Sequence, residues 1–306
     1  MPLTISSTLK TYAQGAAQDA IAPVADFIAP AVNVPTSTGL FKKFTQKNRF
    51  RVPDVRRAIG GRAVTLQFDA EDGTYNCKPN AIDYPVEMEG VSQEEFDMYY
   101  RDGANAVAEI GALAHELKVI NAALAAAGSG TGSAWNSSTD PVSFLDNSIL
   151  DVIKAAKYGS AMGVRVLFGA NAWRIFKNNA LVRGKFVVGN AKAGNLALPT
   201  LESTGQLLIG SPEIRSTFLV YDGAAEGVAE SIAFALDTAV LIFAAKANPT
   251  RFDPSFMKTF RLDGRWMVPG TYSRDDGRVQ VCKFDWSEEV AVTNSAAVIR
   301  LNITES

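Results

Sequence analysis

From Ser92 onward, apolar residues fall at helical spacing: Phe96, Tyr99, Tyr100, Val107, Ile110, Leu113, Ala114, Leu117, Ile120 and Leu124. Ser92-Gln93-Glu94-Glu95 forms a capping box, in which the serine hydroxyl takes one free amide and Glu95 reaches back to another. Gly128 follows in a Gly-Ser-Gly-Thr-Gly run that no helix continues through. The pattern predicts one helix from Ser92 to Ala127, about 36 residues and roughly 54 Å long at about 1.5 Å per residue. Globular helices average only about 11 to 12 residues. Gly103 and Gly111 are the places where it would bend, since an interior glycine weakens a helix by roughly 0.5 to 1 kcal/mol. A girder of this length points to a flat, elongated subunit rather than a compact enzyme.

Ahead of the helix, from Leu40 to Gly90, the period changes to two. Val64, Leu66 and Phe68 alternate with Ala63, Thr65 and Gln67, and Tyr84, Val86 and Met88 with Asp83, Pro85 and Glu87. Ile59-Gly60-Gly61 and Glu71-Asp72-Gly73 read as turns between strands, so this stretch is expected to be a series of hairpins. Residues 1 to 35 read as an arm. Leu9, Tyr12, Ala16, Ala20 and Val24 give one apolar stripe, and Pro23, Pro30 and Pro35 keep any helix short. The stripe has no partner within the segment; it packs on its own domain or on a neighbouring subunit.

Beyond the glycine run, which reads as a flexible connector, the order is helix, strand, helix. Ile149, Leu150, Ile153 and Ala156 form a stripe stopping at Gly159. Val164–Phe168 is a short apolar strand, and Asn171 is placed to cap a helix carrying Trp173, Ile175 and Phe176. Short strands are expected at Gln206–Ile209, Phe218–Tyr221 and Ala239–Phe243, which makes 146–249 a mixed α/β domain. In the tail, Phe256–Leu262, Arg265–Tyr272, Arg278–Trp286 and Val298–Ile303 read as strands. A hairpin turn falls at Arg274-Asp275-Asp276-Gly277, and a bulge is expected near Cys282, where the apolar parity slips. No internal repeat is visible.

Composition narrows the class only slightly. The 306 residues are 47% hydrophobic and 20% charged with a formal net charge of -2, so no global pull toward nucleic acid or membrane follows. The near-neutral total hides a division. Residues 41 to 66 carry Lys42, Lys43, Lys47, Arg49, Arg51, Arg56, Arg57 and Arg62 against Asp54. Residues 67 to 97 carry Asp69, Glu71, Asp72, Asp83, Glu87, Glu89, Glu94, Glu95 and Asp97 against Lys78. A basic limb followed by an acidic one is a nucleic-acid patch, a solvated face, or charge complementarity between copies that fixes register in an assembly. Two cysteines, Cys77 and Cys282, fit a reducing compartment and are expected to stay reduced. No signal peptide and no bilayer-spanning stretch are read, so cytoplasmic synthesis is expected. Asn136-Ser-Ser138 and Asn302-Ile-Thr304 are then chance matches to the glycosylation pattern.

Catalytic chemistry is hard to assemble. The single histidine, His115, is followed by Glu116, but no second histidine completes a His-Glu-x-x-His zinc site. No serine sits in a Gly-x-Ser-x-Gly elbow to join it in a triad. A packing or surface role on the helix is the expectation for His115. Gly128, Gly130 and Gly132 follow a helix instead of joining strand to helix, so they are not a phosphate loop, and Gly169 alone is no dinucleotide fingerprint. Asp275-Asp276 has no partner visible in the sequence. No catalytic, cofactor-binding or metal site is expected, and the chain is not expected to be an enzyme.

The order of segments resembles the major capsid protein of tailed bacteriophages, which has the Hong Kong 97-type fold. The likeness rests on Gly73-Thr-Tyr75-Asn-Cys77-Lys at the close of the hairpin stretch, and on Val164-Arg-Val-Leu-Phe-Gly-Ala-Asn-Ala-Trp173-Arg-Ile-Phe176. It rests also on Val290-Ala-Val-Thr-Asn-Ser-Ala-Ala-Val-Ile299-Arg-Leu near the end. The resemblance implies an α+β fold with an N-terminal arm (1–35), an extended β-hairpin loop (36–91) and a long spine helix with the peripheral domain (92–145). An axial domain (146–249) and peripheral strands (250–306) complete it. It implies an icosahedral shell of hexamers and pentamers enclosing double-stranded DNA, assembled in the host cytoplasm with a portal. Because the chain starts at the arm, scaffolding is expected to come from a separate protein. Lys42, Lys43, Lys47 and Lys78 lie in or near the loop, but nothing identifies an asparagine partner for the covalent cross-link some relatives form. In such a shell Arg49, Arg56, Arg57 and Arg62 would face acceptors among Glu87, Glu89, Glu94 and Glu95 of a neighbouring copy. The alternatives are an encapsulin-type compartment shell and, from a different class, a nucleic-acid-binding protein using residues 42 to 62.

Overall fold

The computed structural model describes residues 24–43, 55–57, 59–63, 65, 71–156, 163–186, 198–225, 227–246, 248–253, 255–274 and 277–305. Expectations for residues 1–23, for Arg49, for the alternation through 64–68 and for Gly159 lie outside the described residues. In chain order the elements begin α1 (Ala25–Ile28), β1 (Ala31–Val34), β2 (Thr38–Lys43), β3 (Glu71–Asn76), β4 (Lys78–Glu87), α2 (Gln93–Ala127) and β5 (Thr131–Ala134). There follow α3 (Pro141–Ala156), β6 (Val164–Phe168), α4 (Ala170–Asn178), α5 (Ala180–Lys185), α6 (Leu201–Leu207), β7 (Glu213–Ser216), β8 (Val220–Asp222), β9 (Ile232–Phe234) and β10 (Ala239–Ala244). The chain ends with β11 (Met257–Leu262), β12 (Val268–Arg274), β13 (Val279–Val292), a 3-10 turn (Ser295–Ala297) and β14 (Val298–Thr304). It divides into two compact units: Met1–Leu40, Thr74–Ala122 and Lys258–Ala291; and Phe41–Gly73, Ala123–Met257 and Val292–Ser306.

The first unit is built on a sheet in the order β1-β11-β13-β12, with β4 also paired to β13. β1 runs parallel to β11, while β12 and β4 are antiparallel to β13. The long helix α2 buries Phe96, Tyr100, Ala104 and Val107 against Val86, Met267, Cys282, Phe284 and Trp286. Each large apolar side chain removed from water there contributes about 1.5 to 3 kcal/mol. The helix is one element, and its capping box is formed. Ser92 N–H donates to Glu95 Oε2 at 2.9 Å, and Glu95 N–H to Ser92 Oγ at 3.3 Å. Its interior glycines have a packing cause. A Cβ on Gly103 would meet the Tyr84 ring at 2.3 Å, and one on Gly111 the Met267 Cε at 2.4 Å.

The second unit carries a five-stranded sheet, β5-β14-β10-β6-β7. β10 lies between antiparallel partners β14 and β6, and all its residues are buried. Val164–Phe168 and the following helix with Trp173, Ile175 and Phe176 are as the sequence predicted. Phe168, Trp173, Phe176 and Trp135 form an aromatic cluster with ring centroids 5.3 to 6.5 Å apart.

Several local expectations are corrected. Gln206–Ile209 is not a strand: α6 starts earlier, capped reciprocally by Thr200 and Ser203, a box with serine where glutamate is usual. Asn171 is not a cap. Gly169 holds that position, while the Asn171 amide donates to Asp237 Oδ1 at 2.6 Å. The Phe218–Tyr221 strand shifts to Val220–Asp222, and β12 begins at Val268 instead of Arg265. Glu71-Asp72-Gly73 is not a turn but the start of β3; Gly73 is there because the Phe41 ring lies 2.5 Å from where a Cβ would be. The glycine run is not only a connector. It enters edge strand β5, and at Gly130 (φ +72°) Arg300 atoms stand 2.8 Å from a would-be Cβ. No bulge occurs at Cys282, since β13 pairs in unbroken register with both β12 and β4. Val281 and Cys282 are buried on opposite faces because this is an interior strand, apolar on both sides. Finally, α2 is long and apolar enough by length and composition to cross a membrane, contrary to the sequence expectation. Its alanines raise the average. His115 and Glu116 are nonetheless buried on its inner face.

Candidate assembly interface and a buried ionic cluster

The two-stranded sheet β2-β3 flanks the stretch predicted as the intersubunit loop. Its aromatic side chains lie over glycines: the Tyr75 hydroxyl oxygen is 2.4 Å from a would-be Cβ on Gly39, and a Phe41 ring carbon 2.5 Å from one on Gly73. Such covering compensates for the packing that strand glycines lack. Lys42 of the basic limb pairs with Asp72 of the acidic limb at 2.5 Å, so part of the charge pattern is met within the chain. Arg56, Arg57 and Arg62 follow outside regular structure and are exposed, around a turn in which Gly60 has φ +82°. Glu87, Glu89, Glu94 and Glu95 are exposed and run from the end of β4 into the first turn of α2. Glu95 is already engaged. Hydrogen bonds from the Ser92 amide and hydroxyl hold its carboxyl below the usual range.

The structure also builds a cluster that the charge count concealed. His115, nearly fully buried, donates from Nδ1 to the Glu288 carboxylate, 2.9 Å from Oε2 and 3.0 Å from Oε1. Its Nε2 stands 3.3 Å from the Arg261 guanidinium, which can only donate, so Nε2 is the acceptor of that contact. Arg261 reaches Asp26 of α1 at 3.2 Å and lies 3.7 Å over the Trp266 ring. Lys118 approaches Glu288 from the rim at 3.5 Å. Burial pushes the Glu288 carboxyl up, but the His115 hydrogen bond, with Lys118 and Arg261, outweighs it and holds the group below the usual range. Burial lowers Arg261, with Asp26 and Glu288 opposing. Glu116, whose carboxylate accepts the Val24 N–H at 3.1 Å, is raised by burial.

This cluster joins a helix, a short turn of helix and two strands within one unit. The Glu288 carboxylate faces two protein cations, Lys118 and Arg261. Among the described residues, no group of three or more His, Cys, Asp or Glu side chains is placed to hold a metal ion. The arrangement is that of a structural tie.

Solved structures share this architecture along nearly the whole chain. A phage-related protein from Bordetella bronchiseptica RB50 superposes with TM-score 0.66 at 17% identity, covering 99% of this chain and 98% of its own. The bacteriophage PhiM1 mature capsid gives TM-score 0.53 at 10% identity over 90% and 85%. The chain has the fold of a phage capsid protein. A virus-like particle from Pyrococcus furiosus shares that capsid fold, with TM-score 0.54 at 14% identity over 96% and 98%. No protein-family model and no curated protein matches the sequence. The expected mixed α+β capsid fold, with α2 as its long helix, is thereby met.

Proposed function

We propose that the chain is a major capsid protein that self-assembles, as hexamers and pentamers, into an icosahedral shell around packaged double-stranded DNA. The observation that carries this is the match to the capsid fold along most of both chains. In this reading 1–35 is the arm, 36–91 the extended loop, 92–145 the spine helix and peripheral domain, 146–249 the axial domain and 250–306 the peripheral strands. A scaffolding protein and a portal are its partners, and the site of assembly is the host cytoplasm. The loop arginines Arg49, Arg56, Arg57 and Arg62 clasp Glu87, Glu89, Glu94 and Glu95 of the next copy. One exposed pair contributes only about 0 to 1 kcal/mol, so the clasp acts through repetition.

Electron microscopy of the purified protein tests the shell: closed particles are expected, and a protein that remains monomeric at all concentrations refutes it. The double change Arg56→Glu with Arg57→Glu should leave far-ultraviolet circular dichroism unaltered and suppress closed particles; normal assembly of the double mutant removes the clasp. A second reading is a compartment shell enclosing cargo proteins; a virus-like particle from Pyrococcus furiosus shares the fold, so fold alone does not separate the two. Particles isolated from cells decide between them: nuclease-protected duplex DNA supports the head, and a co-purifying enzyme supports the compartment.

A further inference from the structure

One element of the second unit presents large apolar side chains to water. Strands β8 and β9 form an antiparallel two-stranded sheet, with Val220 opposite Phe234 and Asp222 opposite Ile232. Residues two apart share a face, so Val220, Ile232 and Phe234 lie together on one side, and Phe218 precedes them at the same parity. Phe218, Val220, Ile232 and Phe234 are 59%, 47%, 62% and 42% exposed. Leu219, Tyr221 and Ala235, of the other parity, are half-buried, so the protein partly covers that face and leaves this one open. Taking about 200 Å² for a whole phenylalanine, the four side chains leave roughly 350 Å² of apolar surface in water. A patch of about 300 to 600 Å² is the largest that a typical monomer carries, and such patches are often functional.

We infer that this face is a contact between copies of the chain, the β8-β9 ribbon of one copy packing on the ribbon of another. The inference deepens the shell reading above and rests on it for the choice of a second copy as occupant. The face has nothing for a polyanion. Asp222 is the one charged residue in the two strands, and its carboxylate is spent on the Ala224 and Ser231 N–H groups at 2.9 and 2.8 Å. The face is complementary to itself, because aromatic and β-branched side chains on one pleated surface interdigitate with the same set on another. The ribbon also needs a cover. A two-stranded sheet is marginal alone in water, and among the described residues neither outer edge of β8-β9 is paired to a further strand. A neighbouring copy supplies that cover without a foreign partner, since the chain shares its fold with a capsid. Area sets the strength of the contact. A stable interface takes about 800 Å² from each partner, and this face supplies less than half of that. The ribbons therefore add to an assembly that other surfaces also hold, and do not make a dimer alone.

Cross-linking of the purified full chain with a short bifunctional maleimide tests this. Ile232→Cys places a thiol on the apolar face, and Ala233→Cys places one on the opposite face of the same strand, also exposed. The native Cys77 and Cys282 are buried, and the parent protein gives the background. Ile232→Cys should yield about tenfold more covalent dimer than Ala233→Cys, because paired ribbons hold their thiols at a high effective concentration. Adding Val220→Lys to Ile232→Cys sets like charges against each other in the contact and should return the yield to that of the control. Far-ultraviolet circular dichroism checks that each variant keeps the fold. No dimer from Ile232→Cys, equal yields at the two positions, or a yield that Val220→Lys leaves unchanged would each overturn the contact. Electron microscopy of the same samples separates this from the shell reading. Closed particles without the cross-link refute the ribbon contact alone, and the cross-link without closed particles refutes the shell alone.

Discussion

Removing Glu288 isolates the energetic role of the buried cluster. Its carboxylate accepts the His115 Nδ1 proton at 2.9 to 3.0 Å and faces Lys118 at 3.5 Å. Glu288→Ala leaves the Arg261 side chain, 12% exposed, with the partly exposed Asp26 as its acidic partner in the cluster. Breaking a buried ionic pair costs about 3 to 5 kcal/mol. Here the low end applies, because Lys118 is 44% exposed and hydrates, and Arg261 keeps its Trp266 contact. A loss of about 3 kcal/mol, with a denaturant slope of about 3 kcal/mol per M, moves the urea midpoint down by about 1 M. Glu288→Gln keeps an acceptor for His115 and loses only the charge, so it should cost roughly half as much, about 1.5 kcal/mol. Urea unfolding followed by far-ultraviolet circular dichroism reads both. An alanine variant within about 0.5 kcal/mol of the parent, the range of ordinary surface substitutions, would refute a structural tie.

The two carboxylates of this region should oppose each other in pH dependence. Glu288 is held low, so its stabilisation is whole above the unfolded carboxylate value and is lost as pH falls through its lower native value; Glu288→Gln should flatten the acid limb of the stability curve. Glu116 is raised by burial, so its contribution is greatest below the unfolded value and is lost as pH rises through the native one. Glu116→Gln should therefore gain on the parent as pH rises from the unfolded carboxylate value through the native one. The helix glycines should divide. Gly103→Ala meets the Tyr84 ring and should cost about 1 to 2 kcal/mol net, overpacking of about 1 to 3 against a helix gain of about 0.5 to 1. Gly111→Ala meets only the mobile end of Met267 and should be neutral or stabilising by about 0.5 kcal/mol; equal effects in thermal unfolding would dismiss the packing account. Cys77 and Cys282 are both free and buried, and burial pushes the Cys282 thiol up to about 11. Thiol titration should find neither reactive in the native protein and both after denaturation.

What the chain revealed of its fold depended on how local the cause was. The long helix was legible because cap, periodicity and terminal glycine all lie within one stretch, from Ser92 to Gly128. Its glycines were legible only as weaknesses, since Tyr84 and Met267, which require them, come from strand β4 and the approach to β12. Gly73 was misread as punctuation for the same reason: Phe41 fills its Cβ space from across a sheet. The α6 error is different in kind. Thr200 and Ser203 form a genuine cap, but serine at the third position also favours turns, so the helix start carries no distinctive signal in the sequence. The loop clasp rests on charge pattern alone; Arg56, Arg57 and Arg62 are exposed outside regular structure, where a single chain supplies no geometry to choose a partner.

The ionic cluster carried one usable signal that composition obscured. In β13 the residues Cys282, Phe284, Trp286 and Glu288 share one parity, and the first three are buried against the spine side of the sheet. A carboxylate that continues such a row is expected inside, not in solvent, unless the register breaks. The assumed bulge at Cys282 would have supplied such a break; the unbroken ladder from Val279 to Glu288 removes it. A buried glutamate then demands a donor, and the single histidine, amid the apolar periodicity of α2, is the residue able to supply one without adding an unpaired charge. The logic runs from strand parity to burial, and from burial to a partner. It reaches His115 from Glu288, whereas a search for catalytic motifs starts at His115 and finds nothing beside it in sequence.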